Sequence, residues 1–194
     1  MKQDIILSGV GGQGIVSIAS VIGLAALEEN LHIKQSEVHG MSQRGGAVTS
    51  HLRISSQPVS SDLIPLGKAD MILSAEPMES LRYLPYLAKE SWVVTNSKPF
   101  VNISNYPDPE KILNELAKLP HSVLADAEQL AEEAGSVRTS NMVMLGVASP
   151  LLVISVEALK KGIEKLFASK SNDIIEMNIK AFMIGRAFAE SKGL

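Results

Sequence analysis

The sequence predicts an α/β fold with a largely parallel sheet, one antiparallel strand pair and a helical C-terminal part. Three observations predict it. Short apolar runs alternate with segments of helical periodicity through about residue 135. A glycine-rich turn joins the first apolar run to the first helical segment. Beyond residue 155 only helical stripes remain.

Each element has a local reason. Residues 5–7 (Ile-Ile-Leu) form an apolar strand that runs into Gly9-Val10-Gly11-Gly12-Gln13-Gly14. Ile15, Ile18, Ala19, Ile22, Ala25 and Ala26 then recur at helical spacing. Residues 33–38 read as a second strand, and residues 47–54 alternate as a third. The polar, glycine-rich stretch between them leaves no room for a crossover helix, so these two strands are expected to be antiparallel neighbours. The second strand is also expected to lie beside the first.

Residues 69–75 form a continuous apolar strand. Pro77 suits the first turn of the helix that follows, with Glu79 near its positive end. Pro85 should stop or kink that helix at about Leu84. Residues 92–95 are the next strand. Asp108-Pro109-Glu110 reads as a cap, a first-turn proline and an acid, opening a helix to about Lys118. Residues 122–125 form a short strand. Asp126 with Gln129 resembles a capping box, and Gly135 a stop. In the last third, Val156, Leu159, Ile163, Leu166 and Phe167 form one stripe, and Ile175, Ile179, Phe182, Met183 and Ala187 a second.

Composition bounds function. A chain of 194 residues, 45% hydrophobic and 20% charged, is expected to form one domain over residues 1–194 with a self-sufficient core. Aromatics are only 4%, so that core must be aliphatic. The absence of cysteine excludes disulfides, thiolate nucleophiles and cysteine-ligated clusters, and fits a cytoplasmic location. A net charge of −3 without a basic block argues against nucleic acid. No signal peptide is read at the start. Residues 139–156 carry no charge, but Asn141, Gly146 and Pro150 within them favour a buried helix or subunit contact over a membrane span. Together with the two C-terminal stripes, they suggest exposed apolar surface and self-association of the isolated chain.

Two motifs carry chemistry. Gly9-x-Gly11-x-x-Gly14, on the first strand–helix junction, lets the backbone turn sharply and lets a phosphate approach amides at a positive helix end. A tight turn that binds nothing is the competing reading. Ile15-Val16 replace the Lys-Ser/Thr of a P-loop, which disfavours an ATPase. Glu37 stands near the place of a ribose-binding acid, or is simply a solvated strand end. The second motif is His39-Gly40-Met41-Ser42-Gln43-Arg44-Gly45-Gly46. Arg44 offers a positive fork for carboxylate or phosphate, and Ser42, Gln43 and the amides of Gly45 and Gly46 complete an anion nest. His32, His39, His51 and His121 make no metal pattern, so no metal is expected. Met142 and Met144 read as packing residues. Asn141 reads as a helix cap that could also point into a site.

Together, the glycine turn, the stretch from Glu37 to Gly46 and the segment from Ala69 through Glu76-Pro77 resemble the gamma-type domain of 2-oxoacid:ferredoxin oxidoreductases, most of all the small (beta) subunits of the indolepyruvate branch. The resemblance covers most of the chain and implies a Rossmann-like fold. It implies oxidative decarboxylation of a 2-oxoacid on thiamine diphosphate, electrons passed through iron–sulfur clusters to ferredoxin, and coenzyme A taking the acyl group. Thiamine and the clusters would sit mainly on a large partner subunit, so no catalytic acid, base or nucleophile is assigned here. Gly9, Gly11, Gly12, Gln13, Gly14, Gly40, Ser42, Gln43, Arg44, Gly45 and Gly46 are the expected cofactor-facing residues. Gln13, Ser42, Gln43 and Arg44 would line a surface facing the large subunit. A free-standing nicotinamide oxidoreductase and a non-catalytic docking scaffold are the rival readings.

Overall fold

The computed structural model describes residues 1–40, 45–101 and 103–194. Six strands form one sheet: β1 (Lys2–Val10), β2 (His32–His39), β3 (Ala47–Ser55), β4 (Ala69–Ser74), β5 (Leu87–Asn96) and β6 (Ser122–Ala125), in the order β2-β3-β1-β4-β5-β6. The helices are α1 (Ile15–Glu28), α2 (Pro77–Arg82), α3 (Pro109–Ala117), α4 (Ala127–Ala134), α5 (Ser140–Ala148), α6 (Val156–Leu166) and α7 (Asn172–Ser191). Among the described residues, no helix is long and apolar enough to cross a membrane.

The expected antiparallel pair is present, with His39 opposite Val48 and Ile33 opposite Ile54. One expectation fails: β2 does not lie beside β1. β3 stands between them, antiparallel to both, with Val10 opposite Ala47 and Ile5 opposite Leu52. The reason is burial. Lys34, Gln35 and Glu37 make β2 half-exposed along its length, which suits a sheet edge. β3 is buried at most of its positions and belongs inside.

Side-chain alternation along β1 divides the core. Ile5 and Leu7 face a layer made by α1, α4, α5, α6 and α7, whereas Ile6 packs with Ile72, Val93, Ile112 and Leu116 beneath α3. Uncharged residues 139–156 lie in the larger layer. Met142 through Ala148 of α5 are buried against the chain itself, so they supply no exposed apolar surface, contrary to the sequence expectation. α5 packs on α7 at backbone distance: a Cβ at Gly185 would fall 2.1 Å from Val143 O, and one at Gly146 2.0 Å from Phe182 O. This contact also rotates the predicted face of α7. Asn178, Ala181, Phe182, Gly185 and Ala189 are buried, while Met183 and Ala187 are exposed.

Caps act where the sequence places them. Asp108 accepts from Glu110 N, Asp126 from Gln129 N at 2.9 Å, and Gly135 ends α4 with φ 118°. The helix after Pro77 is shorter than expected, ending at Arg82, and Pro85 lies in a 3-10 turn over Leu84–Tyr86. At the N-terminal end of β1, buried Asp4 receives a bidentate bond from Arg53, at 2.9 and 3.1 Å, and Asp4 N donates to Asp70 at 2.7 Å. This ties β3, β1 and β4 together, leaving the opposite edge open.

Candidate functional site

β1 and β4 are adjacent and parallel, yet α1 leaves on one face of the sheet and α2 on the other. Such a switch in direction leaves a crevice beyond the strands' C-terminal ends, the usual ligand position in open α/β sheets. Here the crevice is bounded by Gly11–Gly14 on one side and Ala75-Glu76 on the other.

The two glycine loops do meet there. Gly11 N donates to Gly46 O at 2.8 Å and Gly45 N to Gly11 O at 3.4 Å, while Gly40 N closes the hairpin on Ala47 O at 2.8 Å. They converge although β2 and β1 are not neighbours, because β3 begins opposite the end of β1. Ser42, Gln43 and Arg44 lie outside the described residues, as does Met41.

Within the first loop the glycines do different work. Gly9 is still in β1, where a Cβ would press on Gln13 and on Ile15 at 3.0 Å. Gly14 has φ 77° and abuts Asn141, whose Nδ2 would be 2.5 Å from an added Cβ. Gly12 has φ 104° with nothing within 4 Å of a Cβ position: it is open space. Gln13 is not a free ligand-facing side chain. Its Oε1 accepts from Val10 N at 2.8 Å and its Nε2 donates to Ala75 O at 3.1 Å, which braces the loop against β4.

The start of α1 has no side-chain cap and no acid in its first turn. Its first N–H groups, without a side-chain cap among the described residues, carry the positive end of the helix dipole into a cleft of about 290 Å³ lined by Gly12, Gly14, Val16 and His39. A neighbouring cleft of about 370 Å³ is lined by Gly12, Phe100, Glu128, Arg138 and Asn141. Asn141 is not the cap of α5; that position is Thr139. Its side chain instead lies against Gly14, and its Oδ1 accepts from Met142 N at 3.0 Å.

Several residues at the crevice had no sequence motif. Buried Glu76 caps α2, accepting from Glu79 N at 2.9 Å, and it also holds the loop after β5 through Phe100 N at 3.3 Å and the Tyr106 hydroxyl. Burial and then the Glu76 carboxylate push the Tyr106 phenol well above its usual range. Burial likewise raises the Glu79 carboxyl, although Arg82 lies 3.1 Å away and opposes the shift. Asn96 donates to both carboxylate oxygens of Glu128, at 3.2 and 3.0 Å, and accepts from Ala127 N at 3.1 Å. The acid before Pro77 was the one available signal for Glu76.

Glu37 is in hydrogen-bond contact with the His39 imidazole on the edge strand, one strand removed from β1. With β3 between them, Glu37 does not stand on the strand next to β1, where the ribose-binding acid of a dinucleotide fold is expected. Among the described residues, no group of three or more His, Cys, Asp or Glu side chains is placed to hold a metal ion.

The chain matches the pyruvate ferredoxin/flavodoxin oxidoreductase family over residues 4–188. It belongs to that family. A curated relative, indolepyruvate oxidoreductase subunit IorB of Thermococcus kodakarensis, is 39% identical with all of both chains covered. Among solved structures, the gamma subunit of a keto/oxoacid ferredoxin oxidoreductase from Geobacter sulfurreducens aligns with a TM-score of 0.72 at 24% identity, covering 97% of this chain and 99% of that one. The 2-oxoglutarate:ferredoxin oxidoreductase of Magnetococcus marinus aligns with a TM-score of 0.78 at 23% identity, over 98% of this chain but only 31% of its own. These two likenesses establish a shared fold. The part of the Magnetococcus chain that shares the fold is 31% of its length.

Proposed function

We propose that this chain is the small subunit of an indolepyruvate or related arylpyruvate:ferredoxin oxidoreductase, its residues 1–194 acting as one gamma-type catalytic domain. The observation that carries the reading is the crevice itself. It offers backbone N–H groups at an uncapped helix end and a braced glycine loop, and among the described residues that line it no nucleophile–base pair is seen. It is a place to bind an anionic group and to meet another polypeptide.

Partner contact is supported by the rim. Val16, Val38, Phe100, Val101 and Val137, between 44% and 66% exposed, all belong to the loops and element ends around this edge. In the assembled enzyme a large subunit carrying thiamine diphosphate and iron–sulfur clusters covers them. The division of labour follows from composition, since a chain without cysteine lacks the usual cluster ligands. Coenzyme A, when bound, supplies the thiol that accepts the acyl group. This chain's part is to seat a phosphate of that cofactor against the first turn of α1 and Gly12, and to exclude water with Phe100 and its neighbours. Gln13 keeps the loop from collapsing into the space. Ser42, Gln43 and Arg44, next in sequence to Gly45, are the side chains we propose to contribute to anion binding. Without its partner the chain self-associates through the same apolar rim, in the cytoplasm where ferredoxin is reduced.

The test is co-expression with the adjacent large subunit, followed by viologen-linked turnover on a panel of 2-oxoacids. Turnover is expected from the complex, with arylpyruvates preferred, and none from either chain alone. Reduction of an acceptor by this chain alone overturns the reading.

A further inference from the structure

On the α2 side of the same sheet edge lies another cavity. It holds about 190 Å³, below the usual size of a small-molecule site, and is bounded by α2, the start of β3 and the loop after β5. Met78, Phe100 and Ile103 give it apolar walls, and Phe100 and Ile103 are 45% and 43% exposed. Phe100 also lines the cleft beside Gly12, so the cavity continues the rim proposed to meet the large subunit.

The charges around this cavity do not balance. Glu76 and Glu79 both line it and are 0% and 3% exposed, against one lining cation among the described residues, Arg82. The Glu76 oxygens are occupied: Oε2 accepts from Glu79 N, and Oε1 from Phe100 N and the Tyr106 hydroxyl. Glu79 is different. Its Oε2 is wholly buried and accepts no hydrogen bond among the described residues. Arg82 Nε comes within 3.1 Å but without hydrogen-bond alignment, and the Arg82 side chain is 55% exposed, so solvent weakens its pull. A buried carboxylate so poorly matched is costly unless a donor reaches it. The raised Glu79 carboxyl has the same cause, burial outweighing Arg82.

We propose that this cavity is a socket for a lysine side chain of the large partner subunit. The lysine methylenes run along Met78, Phe100 and Ile103, and the ammonium donates to the Glu79 carboxylate. Arginine fits less well, because Arg82 already stands against Oε2 and blocks the paired approach of a second guanidinium. A lysine asks for one point of contact. A side chain suits the space better than a free ligand, since the cavity is small and runs into an exposed apolar rim. The identity of the partner rests on the proposed subunit function; the socket itself rests on Glu79.

The test is the Kd of the complex between this chain and the large subunit, measured by calorimetry. Glu79→Gln, which keeps the shape and removes the charge, should raise Kd at least about tenfold. The difference should persist at high salt, because a pair buried in an interface is screened little. Arg82→Gln, which leaves Glu79 in place, should not weaken the complex. Alone, the Glu79→Gln chain should unfold no lower than the wild type, since the change removes an under-matched buried charge. An unchanged Kd, a difference that vanishes at high salt, or an equal loss in Arg82→Gln would each overturn the proposal. So would a lowered Tm of the free variant, which would mean that the carboxylate is already satisfied within the chain. If Glu79→Gln abolishes self-association of the isolated chain but spares the complex, a second copy fills the socket and the proposal falls. Viologen-linked turnover of the complex scores the oxidoreductase reading separately. Turnover with an unchanged Kd for Glu79→Gln removes only this inference, whereas no association with the large subunit removes both.

Discussion

Glycine is used in two opposite ways at the two ends of α5. At the contact between α5 and α7, Gly146 and Gly185 sit in ordinary helix, and their missing side chains are replaced by the neighbouring backbone. Around Gly12 and Gly14 the backbone turns into positive φ, and at Gly12 the missing side chain is replaced by nothing. The first kind of glycine closes a protein and the second opens it. Space the fold leaves empty, beside a helix end with unpaired N–H groups, is where a ligand group enters.

The largest effects should come from the closed end. Gly185→Ala puts a methyl group 2.1 Å from Val143 O, and two helices would have to part. We expect a loss of about 3 kcal/mol or more, lowering Tm by about 6–12 °C. Thermal unfolding of Gly185→Ala and Gly146→Ala should both show it. A drop of only a degree or two would mean that α7 docks more loosely than this contact requires.

Next comes Gly14→Ala, which combines a positive φ with a collision against Asn141. The backbone share is about 1–2 kcal/mol and the collision adds to it. Removing the obstacle should remove only the second part. The double variant Gly14→Ala/Asn141→Ala is therefore expected to be less destabilised than the sum of the two single changes. Simple additivity in denaturant unfolding would show that Asn141 does not confine the loop. Gly12→Ala should cost stability through backbone strain alone, because no atom waits to be struck. Its larger effect should be on function: in the reconstituted complex, KM for coenzyme A rises while kcat changes little. An unchanged KM would remove Gly12 from the acyl-acceptor seat.

How far the sequence reveals this contrast depends on the range of the interactions. The glycine turn, the Asp108 and Asp126 caps and the β2–β3 hairpin are local devices, and each is legible because cause and consequence lie within a few residues. The placement of β3 between β2 and β1 is not local. Its one clue was the polarity of Lys34, Gln35 and Glu37, which marks an edge strand. The glycines of α5 and α7 look like ordinary helix interruptions until residues 146 and 182 are brought together. Periodicity likewise set the buried face of α7 slightly wrong, giving Met183 and Ala187 to the core in place of Asn178 and Gly185. At the site, the loop glycines were readable from spacing. Glu76 showed only as the acid before Pro77, and Asn96 not at all, because a single polar residue acquires a role only from burial.

The smallest effect lies in the sheet, away from both glycine regions. His51 of β3 accepts from Ile64 N through Nδ1 at 3.0 Å and packs edge-on against Tyr86. Burial lowers its pKa, with Asp62 opposing and Arg53 reinforcing the shift. An imidazole that resists protonation when folded, but takes a proton near 6.5 when unfolded, supplies stability that is complete above that pH. The stability is then lost as pH falls from 6.5 through the lower folded value, where protonation also turns the Nδ1 acceptor into a donor facing Ile64 N. His51→Asn keeps an acceptor near that position but cannot titrate. We expect the wild-type Tm to fall more than the variant's between pH 7 and pH 5, with the two nearly equal at pH 8. Parallel curves would place the acid-sensitive group elsewhere. Because His51 lies in the sheet interior, acid should loosen the packed interior before it disturbs the open loop.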